Sequence, residues 1–353
     1  MKKSILIIGV SLILGGVSGY FYQKSRKPFA LDYGRVVINV PVTHHKSLED
    51  KTYPLGEKYL AEDMAAAFNQ LGVQTEVYTL EDMFANKNFK EGFDIYMRAY
   101  PELQLKSYHG VFDQDKVSVL FETIPYKIEE VKNADIVFTG SLKKNREYRS
   151  RGINSYFMPQ FTRFDKFYPA YSEKHKTKLL FIGNLYPEAK TRKTVDLALK
   201  NGLELDIYGS GWGKVLPKEK LYLHKGVQIP GDELKYYYSS ADIVFNDTRE
   251  DMIEAGFIPN RIFDVTAAKG FLISDYMAEI EEIYGDAIVM YKNEAEFLAL
   301  VTYYLNHPEE RKKKAYEAYL ITKRRFGAKS VVSEMFKVMK AYVRDNGLGE
   351  DDE

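Results

Sequence analysis

The fold of this chain is decided by residues 241–275, which read ADIVFNDTREDMIEAGFIPNRIFDVTAAKGFLISD. The segment contains two short apolar runs, at 243–246 and 271–274, and each has the length of a buried strand. Between them, residues 262–268 carry apolar side chains at helical spacing, and Pro259 and Asn260 mark the entry to that helix. The order strand, helix, strand predicts a parallel sheet covered by helices.

The same alternation continues on both sides of this segment. The run NADIVFT at 133–139 also echoes SADIVFN at 240–246, which favours two similar units, although such a helix-to-strand junction is common. A length of 353 residues suits two domains of about 150 residues each. We therefore predict an α/β protein with two Rossmann-like domains facing a cleft. The predicted units are residues 29–165, residues 172–345 including all terminal helices, and an acidic tail at 346–353.

Composition narrows the possible functions. Hydrophobic residues make up 45% of the chain and charged residues 28%, so a packed body is expected. The formal net charge is zero, which gives no reason to expect nucleic acid as a partner. The chain has no cysteine, and its histidines show no metal-ligand spacing, so we expect neither a metal site nor a cofactor.

The amino terminus has the pattern of a membrane segment. Residues 4–22 carry no charge, and lysines and an arginine flank them on both sides. A helix of this length spans about 28 Å, close to the hydrocarbon thickness of a bilayer. We predict an uncleaved membrane anchor at 1–28 with the body on the cytoplasmic side, because positive charge is slightly greater after the segment. A cleaved signal peptide and a first buried strand are the alternatives.

Ligands of open α/β sheets bind beyond the carboxyl ends of the strands, and three loops of the second unit lie there. The first runs from Gly183 to Arg192 and leads into a helix, so Gly183, Lys190, Arg192 and the helix N–H groups suit a diphosphate. An ordinary solvated helix start has the same appearance. The second loop, at 208–213, contains Gly209 and Gly211, whose backbone a ligand could approach closely. A loop cap packed on the core is the alternative.

The third loop, at 247–264, is the richest in chemistry. Arg261 and Asp264 lie three residues apart on one helix face, where an arginine can bind phosphate and an aspartate can bind ribose hydroxyls. The alternative is a surface ion pair between these two side chains. In the first unit, His45 follows the first strand and is a candidate base for an acceptor hydroxyl, with a plain polar loop as its alternative.

From residue 179 to about residue 335 the chain resembles CgeB-like glycosyltransferases of the type-B fold (GT-B), which belong with the group 1 glycosyl transferases. The resemblance rests on Tyr208-Gly209-Ser210-Gly211-Trp212, on the strand ending in Asn246, and above all on the run from Pro259 to Asp275. It covers the first half more weakly, through residues 56–72 and the linker near Pro159-Gln160.

The resemblance implies transfer of a sugar from a nucleotide-diphospho-sugar to a hydroxyl acceptor. It implies a donor site made of Gly183, Lys190, Arg192, Gly209, Gly211, Asn260, Arg261 and Asp264. Two positions depart from the family pattern: Asp264 replaces the usual Glu, and Gly256 stands where many related transferases have a Glu. Glu254 is the nearest carboxylate and is the candidate for the sugar-contacting, catalytic role.

We therefore predict a hexosyltransferase acting on a membrane-made acceptor of the cell envelope. Two alternatives are carried forward. One is an exported bilobal binding protein, which usually crosses between its lobes more than once, whereas the sequence indicates a single linker at 159–172. The other is a degenerate transferase that acts as a scaffold.

Overall fold

The computed structural model describes residues 35–40, 44–46, 52–54, 56–79, 93–97, 117–185 and 191–348. The predicted membrane segment lies outside these ranges. Of the predicted acidic tail, residues 346–348 are described and residues 349–353 are not. Within the described ranges, no helix combines the length and the apolar character needed to cross a bilayer.

Two parallel six-stranded sheets form the centres of two α/β halves. The strands are β1 (Arg35–Val40), β2 (His44–Lys46), β3 (Thr52–Pro54), β4 (Gln74–Thr79), β5 (Phe93–Tyr96), β6 (Val117–Glu122), β7 (Ile136–Thr139), β8 (Ser155–Phe157), β9 (Thr177–Ile182), β10 (Asp206–Tyr208), β11 (His224–Gly226), β12 (Ala241–Asn246), β13 (Leu272–Asp275) and β14 (Val289–Tyr291). The first sheet has the order β4-β1-β5-β6-β7-β8, and β2 and β3 pair separately as an antiparallel hairpin.

Helices cover both sheets, and their apolar faces supply the cores. They are α1 (Gly56–Gln70), α2 (Ile128–Val131), α3 (Leu142–Ser150), α4 (Lys193–Lys200), α5 (Trp212–Val215), α6 (Leu234–Ser240), α7 (Glu250–Ala255), α8 (Asn260–Ala267), α9 (Ala278–Tyr284), α10 (Glu294–Asn306), α11 (Pro308–Arg325) and α12 (Ala328–Asp345). The prediction of two Rossmann-like α/β units with parallel sheets is confirmed.

The second sheet has the strand order β11-β10-β9-β12-β13-β14. Numbered along this half, that is the order 3-2-1-4-5-6 of a doubly wound dinucleotide-binding sheet. The order reverses between β9 and β12. These two strands pair in parallel, with Ala241 opposite Thr177. Their carboxyl ends therefore open a crevice at which a ligand can bind.

The last helix returns to the first half. Val332, Met335 and Met339 of α12 are buried in the core formed by β1, β5, β6 and α1, and Phe336 packs edge-to-face on Phe68. The sequence led us to place all terminal helices with the second unit and to expect a single crossing between units. Both expectations differ from the structure, because the apolar stripe of α12 fits the exposed face of the first core and the chain crosses a second time to reach it.

Candidate functional site

The switch point between β9 and β12 carries the centre of the candidate site. Gly183 follows β9 directly, and Asn246 is the last residue of β12. Arg261, in the first turn of α8, donates from Nη1 to the side-chain oxygen of Asn246 at 2.9 Å. Its guanidinium lies over the ring of Phe181, 5.6 Å from the ring centroid. These contacts hold a half-buried positive charge at the point where the sheet order reverses.

Gly183 allows this arginine to approach the backbone. A Cβ added at Gly183 would lie 3.0 Å from Nη2 of Arg261 and 3.1 Å from the Phe181 ring, so a larger residue would push the guanidinium away. The structure thus brings together Gly183 and Arg261, two residues predicted from separate loops. The N–H of Gly183 donates to the Tyr208 carbonyl, so the guanidinium of Arg261 is the group at this point that suits a phosphate.

The second glycine loop is bonded to the first. Gly209 adopts φ +139°, and a Cβ there would lie 2.2 Å from the carbonyl oxygen of Gly183. The indole N–H of Trp212 donates to that same carbonyl at 2.7 Å, and the side chain of Asn184 accepts from the N–H of Ser210 at 2.9 Å. Trp212 is fully buried, so it caps the core, as in the alternative considered for this loop.

Gly211 shares the second loop and begins α5 with φ +90°. Its conformation favours glycine for backbone reasons alone. The contacts that Gly209 and Gly211 make with other described residues do not show what ligand they would bind. Their roles in donor binding therefore stay predictions.

Asp264 faces the space between the two halves. Its Oδ1 accepts from the Thr162 hydroxyl at 2.7 Å and its Oδ2 accepts from the Asn260 amide at 3.0 Å. Burial raises the pKa of the Asp264 carboxyl to about 7, although the hydrogen bonds from Thr162 and Asn260 oppose that rise. Asp264 and Arg261 have different partners, so the structure does not form the surface ion pair between them that was the alternative reading.

A cavity of about 340 Å³ lies beside Asp264 and Asn260. Its walls come from α1 and the β6 loop of the first half, from the linker, and from α8 and the β11–α6 loop of the second half. The lining is apolar on several sides, with Phe167, Ile229, Leu234 and Pro259. Apolar walls combined with polar groups are typical of a small-molecule site, and the polar groups here include those of Glu57, Asp63, Thr123, Gln160, Lys166, Asn260 and Asp264.

Arg192 is placed differently from the prediction of a phosphate contact. It is 6% exposed, and its guanidinium pairs with Asp247 and donates to the Asn184 carbonyl at 2.9 Å. The other oxygen of Asp247 lies 3.4 Å from the N–H of Thr194 at the start of α4. A carboxylate of the protein therefore already occupies the helix N-terminus expected to hold diphosphate, and Arg192 neutralises it. Lys190 lies outside the described residues.

Of the two predicted catalytic side chains, the structure describes that of Glu254, which does not line the cavity. Glu254 is exposed on α7, and the Lys143 ammonium group donates to its backbone carbonyl at 2.6 Å. The backbone of His45 lies in the β2–β3 hairpin, and its side chain is outside the described part of the structure.

Gly256, where related transferases have a glutamate, ends α7 with φ +78°, and a Cβ there would meet Glu279 Oε1 at 2.6 Å. The positive φ favours glycine at this position, so the departure from the family pattern has a local backbone reason.

Sequence reasoning missed two residues of this site. Asn246 orients Arg261, and Thr162 bonds Asp264 across 102 residues of sequence. The position of Asn246 at a strand end was a usable signal, since polar residues there face the ligand edge. No sequence pattern pointed to Thr162, because a single threonine in a linker cannot be distinguished by sequence from a solvent-exposed one.

Comparison with known proteins found a matching family and a similar curated protein. A family described as "Glycosyl transferase-like" matches residues 190–337. The spore protein CgeB of Bacillus subtilis (strain 168) is 28% identical over 207 residues, which are 54% of this chain and 64% of that protein.

The chain is similar to CgeB over this segment, and it has the GT-B fold. Solved structures similar to this CgeB-like chain include sucrose-phosphate synthase from Thermosynechococcus elongatus, with a TM-score of 0.65 at 10% identity over 88% of this chain and all of the other. They also include Anabaena HepE in complex with UDP-glucose, with a TM-score of 0.62 at 9% identity over 87% and 99% of the two chains. A glycosyltransferase from Rickettsia africae has a TM-score of 0.60 at 12% identity over 88% and 99%. At these identities the solved structures bear on the fold alone.

Proposed function

We propose that this CgeB-like chain is a glycosyltransferase that moves a sugar from a nucleotide-diphospho-sugar to a hydroxyl acceptor. The observation that carries the proposal is the position of Arg261 against Gly183 at the switch point of the second sheet. Among the described residues Arg261 bonds the neutral side chain of Asn246 and forms no ion pair with a carboxylate, so its charge is available to a diphosphate. Asp264 then lies at the adjoining cavity, where the nucleoside would fit.

The chemistry of such a site is stabilisation of the leaving diphosphate. Negative charge grows on that group as the bond to the sugar breaks, and Arg261 is fixed by Asn246 to meet it. Asp264 and Asn260 offer oxygen and amide groups to the ribose hydroxyls. In this proposal the two glycine loops keep backbone close to the phosphates, and Arg192 holds the loops in place without touching the donor.

Three further observations support a sugar donor, an acceptor on the opposite wall and the origin of that acceptor at a membrane. HepE, which shares the fold, was solved with UDP-glucose, and this supports a nucleotide-sugar as the donor and a hexose as the transferred group. The first half forms the other wall of the cavity through α1 and the β6 loop, which gives an acceptor a place to enter. The apolar segment at 4–22 supports an acceptor made at a membrane, such as a cell-envelope lipid or glycan.

The proposal is tested by calorimetric titration with uridine, guanosine and deoxythymidine diphosphates. Arg261→Ala should weaken binding of whichever nucleotide the parent binds by tenfold or more, since a charge-assisted contact is worth roughly 1.5–3 kcal/mol. Asp264→Asn should weaken it while the protein stays folded. The matched control is Arg249→Ala, because Arg249 pairs with Asp251 on the surface of the same half.

The results separate three outcomes. If the parent binds none of the three diphosphates, the donor assignment is wrong. If it binds one and both variants bind as tightly as the parent, the nucleotide lies elsewhere. If binding follows the prediction but no sugar is released from any nucleotide-sugar, the scaffold alternative is favoured, in line with the exposed position of Glu254.

A further inference from the structure

The two crossings between the halves are bonded to each other. The N–H of Thr162 donates to the Phe326 carbonyl at 3.0 Å, and the N–H of Ala328 donates to the Thr162 carbonyl at 2.8 Å. Together they form an isolated parallel bridge between Thr162 and Gly327. We call residues 161–167 and 326–328 the hinge.

The hinge is the place where the chain passes from one core to the other. Phe161 is buried in the first core, whereas Phe167 and Phe326 are buried in the second. After Gly327, α12 returns to the first core with Val331 and Val332. Thr162 therefore stands between two packed bodies, and its backbone is fixed by both crossings.

The side chain of Thr162 points from this hinge to the candidate nucleotide site. Thr162 is 1% exposed, and its hydroxyl bonds Oδ1 of Asp264 at 2.7 Å. Asn260 takes the other oxygen, so two donors from different parts of the chain fix both ends of the carboxylate. The Asp264 carboxylate still has free lone pairs for a ligand, because each oxygen can accept more than one hydrogen bond.

A second set of contacts joins the hinge to the opposite wall. Asp63 of α1 in the first half is 3.3 Å from the Lys166 ammonium group and 3.4 Å from the Arg163 guanidinium. Both cations lie on the hinge, and Asp63 and Lys166 line the same cavity as Asp264. The hinge thus contacts α1 through ion pairs with Asp63, and it contacts α8 through the hydrogen bond from the Thr162 hydroxyl to Asp264.

We infer that Thr162 is a positioning residue that holds the Asp264 carboxylate, from the hinge, in the orientation that accepts the ribose hydroxyls of a nucleotide. The inference rests on the proposed function, because it takes Asp264 as the ribose-binding residue. It adds that the affinity for ribose depends on the hinge, since any change in the angle between the halves moves the Thr162 hydroxyl relative to α8. The hydroxyl also opposes the rise in the pKa of Asp264 that burial causes, which keeps the carboxylate available as an acceptor.

The test uses Thr162→Val, which removes the hydroxyl and keeps the shape, and Thr162→Ser, which restores the hydroxyl. Each full-length protein is titrated with uridine and guanosine diphosphates and with their 2′,3′-dideoxy counterparts. For the nucleotide that the parent binds, Thr162→Val should weaken binding about tenfold, and the dideoxy form should bind parent and variant within about twofold of each other. Thr162→Ser should return to the parent affinity.

Thr322→Val is the control for loss of a buried threonine hydroxyl. Thr322 is fully buried in the second half, and its hydroxyl is 2.7 Å from that of Thr266. This variant should lose stability without changing the ratio of ribo to dideoxy affinity.

If Thr162→Val weakens both nucleotide forms equally, or weakens neither, the inference is wrong while the donor site stands. If the parent binds neither nucleotide, the inference is wrong, and the titration with deoxythymidine diphosphate decides separately whether the donor proposal stands. If Thr162→Val does not fold, the inference requires Thr162→Ser to keep the parent's ribo-to-dideoxy ratio, and a changed ratio overturns it.

Discussion

At the scale of single residues, Glu122 shows how burial governs a carboxyl group. It ends β6 with no exposed surface, and its Oε1 accepts from the Tyr148 hydroxyl at 2.6 Å and from the Tyr126 N–H at 3.0 Å. Among the residues that the structure describes, its Oε2 has no hydrogen-bond partner. Burial raises the pKa of Glu122 from its usual value to about 7, against the hydrogen bonds that lower it.

This raised pKa predicts a pH-dependent stability. Between the unfolded and folded pKa values the folded state holds a proton that the unfolded state has lost, so stability falls as the pH rises from about 4.5 to about 7 and is then level. The cost is absent at low pH and fully present above the folded pKa. We expect Glu122→Gln to gain, relative to the parent, on the order of 3 kcal/mol in free energy of unfolding between about pH 5 and about pH 8.5.

Urea unfolding at the two pH values measures this difference. Glu129→Gln, at an exposed position on α2, is the matched control and should differ from the parent equally at both. A difference between parent and Glu122→Gln that does not change with pH would contradict the prediction.

At the scale of elements, the packing of the two glycine loops decides the shape of the site. The loop after β9 and the loop after β10 approach so closely that the Gly183 carbonyl lies where a side chain on Gly209 would begin. This contact is between backbones, so it cannot be relieved by turning a side chain. Glycine at 209 is therefore a requirement of the loop pair, in addition to any role in binding.

We predict that Gly209→Ala destabilises the protein by about 2–4 kcal/mol and weakens nucleotide binding, because the two loops must separate. The control is Gly202→Ala, since Gly202 also has a positive φ, of 70°, but a Cβ there meets no atom within 4 Å. That variant should lose only about 1 kcal/mol, the cost of the left-handed backbone, and keep the affinity of the parent. Thermal unfolding and calorimetry check both expectations, and equal losses in the two variants would contradict them.

At the scale of the whole molecule, the described part of the chain crosses between the halves twice, and its last helix, α12, packs on the half that contains β1. The return of α12 makes the first core depend on residues from both ends of the described chain. Truncation before α12 would therefore expose the apolar face of the first half as well as remove a helix.

The amino-terminal segment gives the last prediction, which concerns the location of the whole molecule. We propose that residues 4–22 anchor the protein, with the body on the cytoplasmic side. Full-length protein should sediment with membranes and resist extraction by high salt, whereas a chain starting at Lys27 should stay in the supernatant. Full-length protein recovered in the supernatant with a new amino terminus near residue 20 would show a cleaved signal peptide instead.

The sequence by itself predicted the two α/β halves and the strands near 243–246 and 271–274, which the structure confirms, and it singled out Gly183, Arg261 and Asp264 as candidates, whose roles stay predictions. These features are local: strand and helix periods, glycine at a strand end, and an arginine and an aspartate one helical turn apart are readable within short windows. It missed α3, whose residues LKKNREYRS have almost no apolar pattern and which depends on the Ser141 cap and one buried tyrosine, Tyr148.

Only the tertiary structure decided which partner each polar side chain takes. Arg192 pairs with Asp247 across 55 residues and is withdrawn from the ligand, while Thr162 reaches Asp264 across 102. The sequence could not show these pairs, because residues so far apart meet only when the strand order of a sheet and the path of the crossings are set. The same reason applies to α12: its apolar stripe is visible in the sequence, but the core that it covers is known only from the packed molecule.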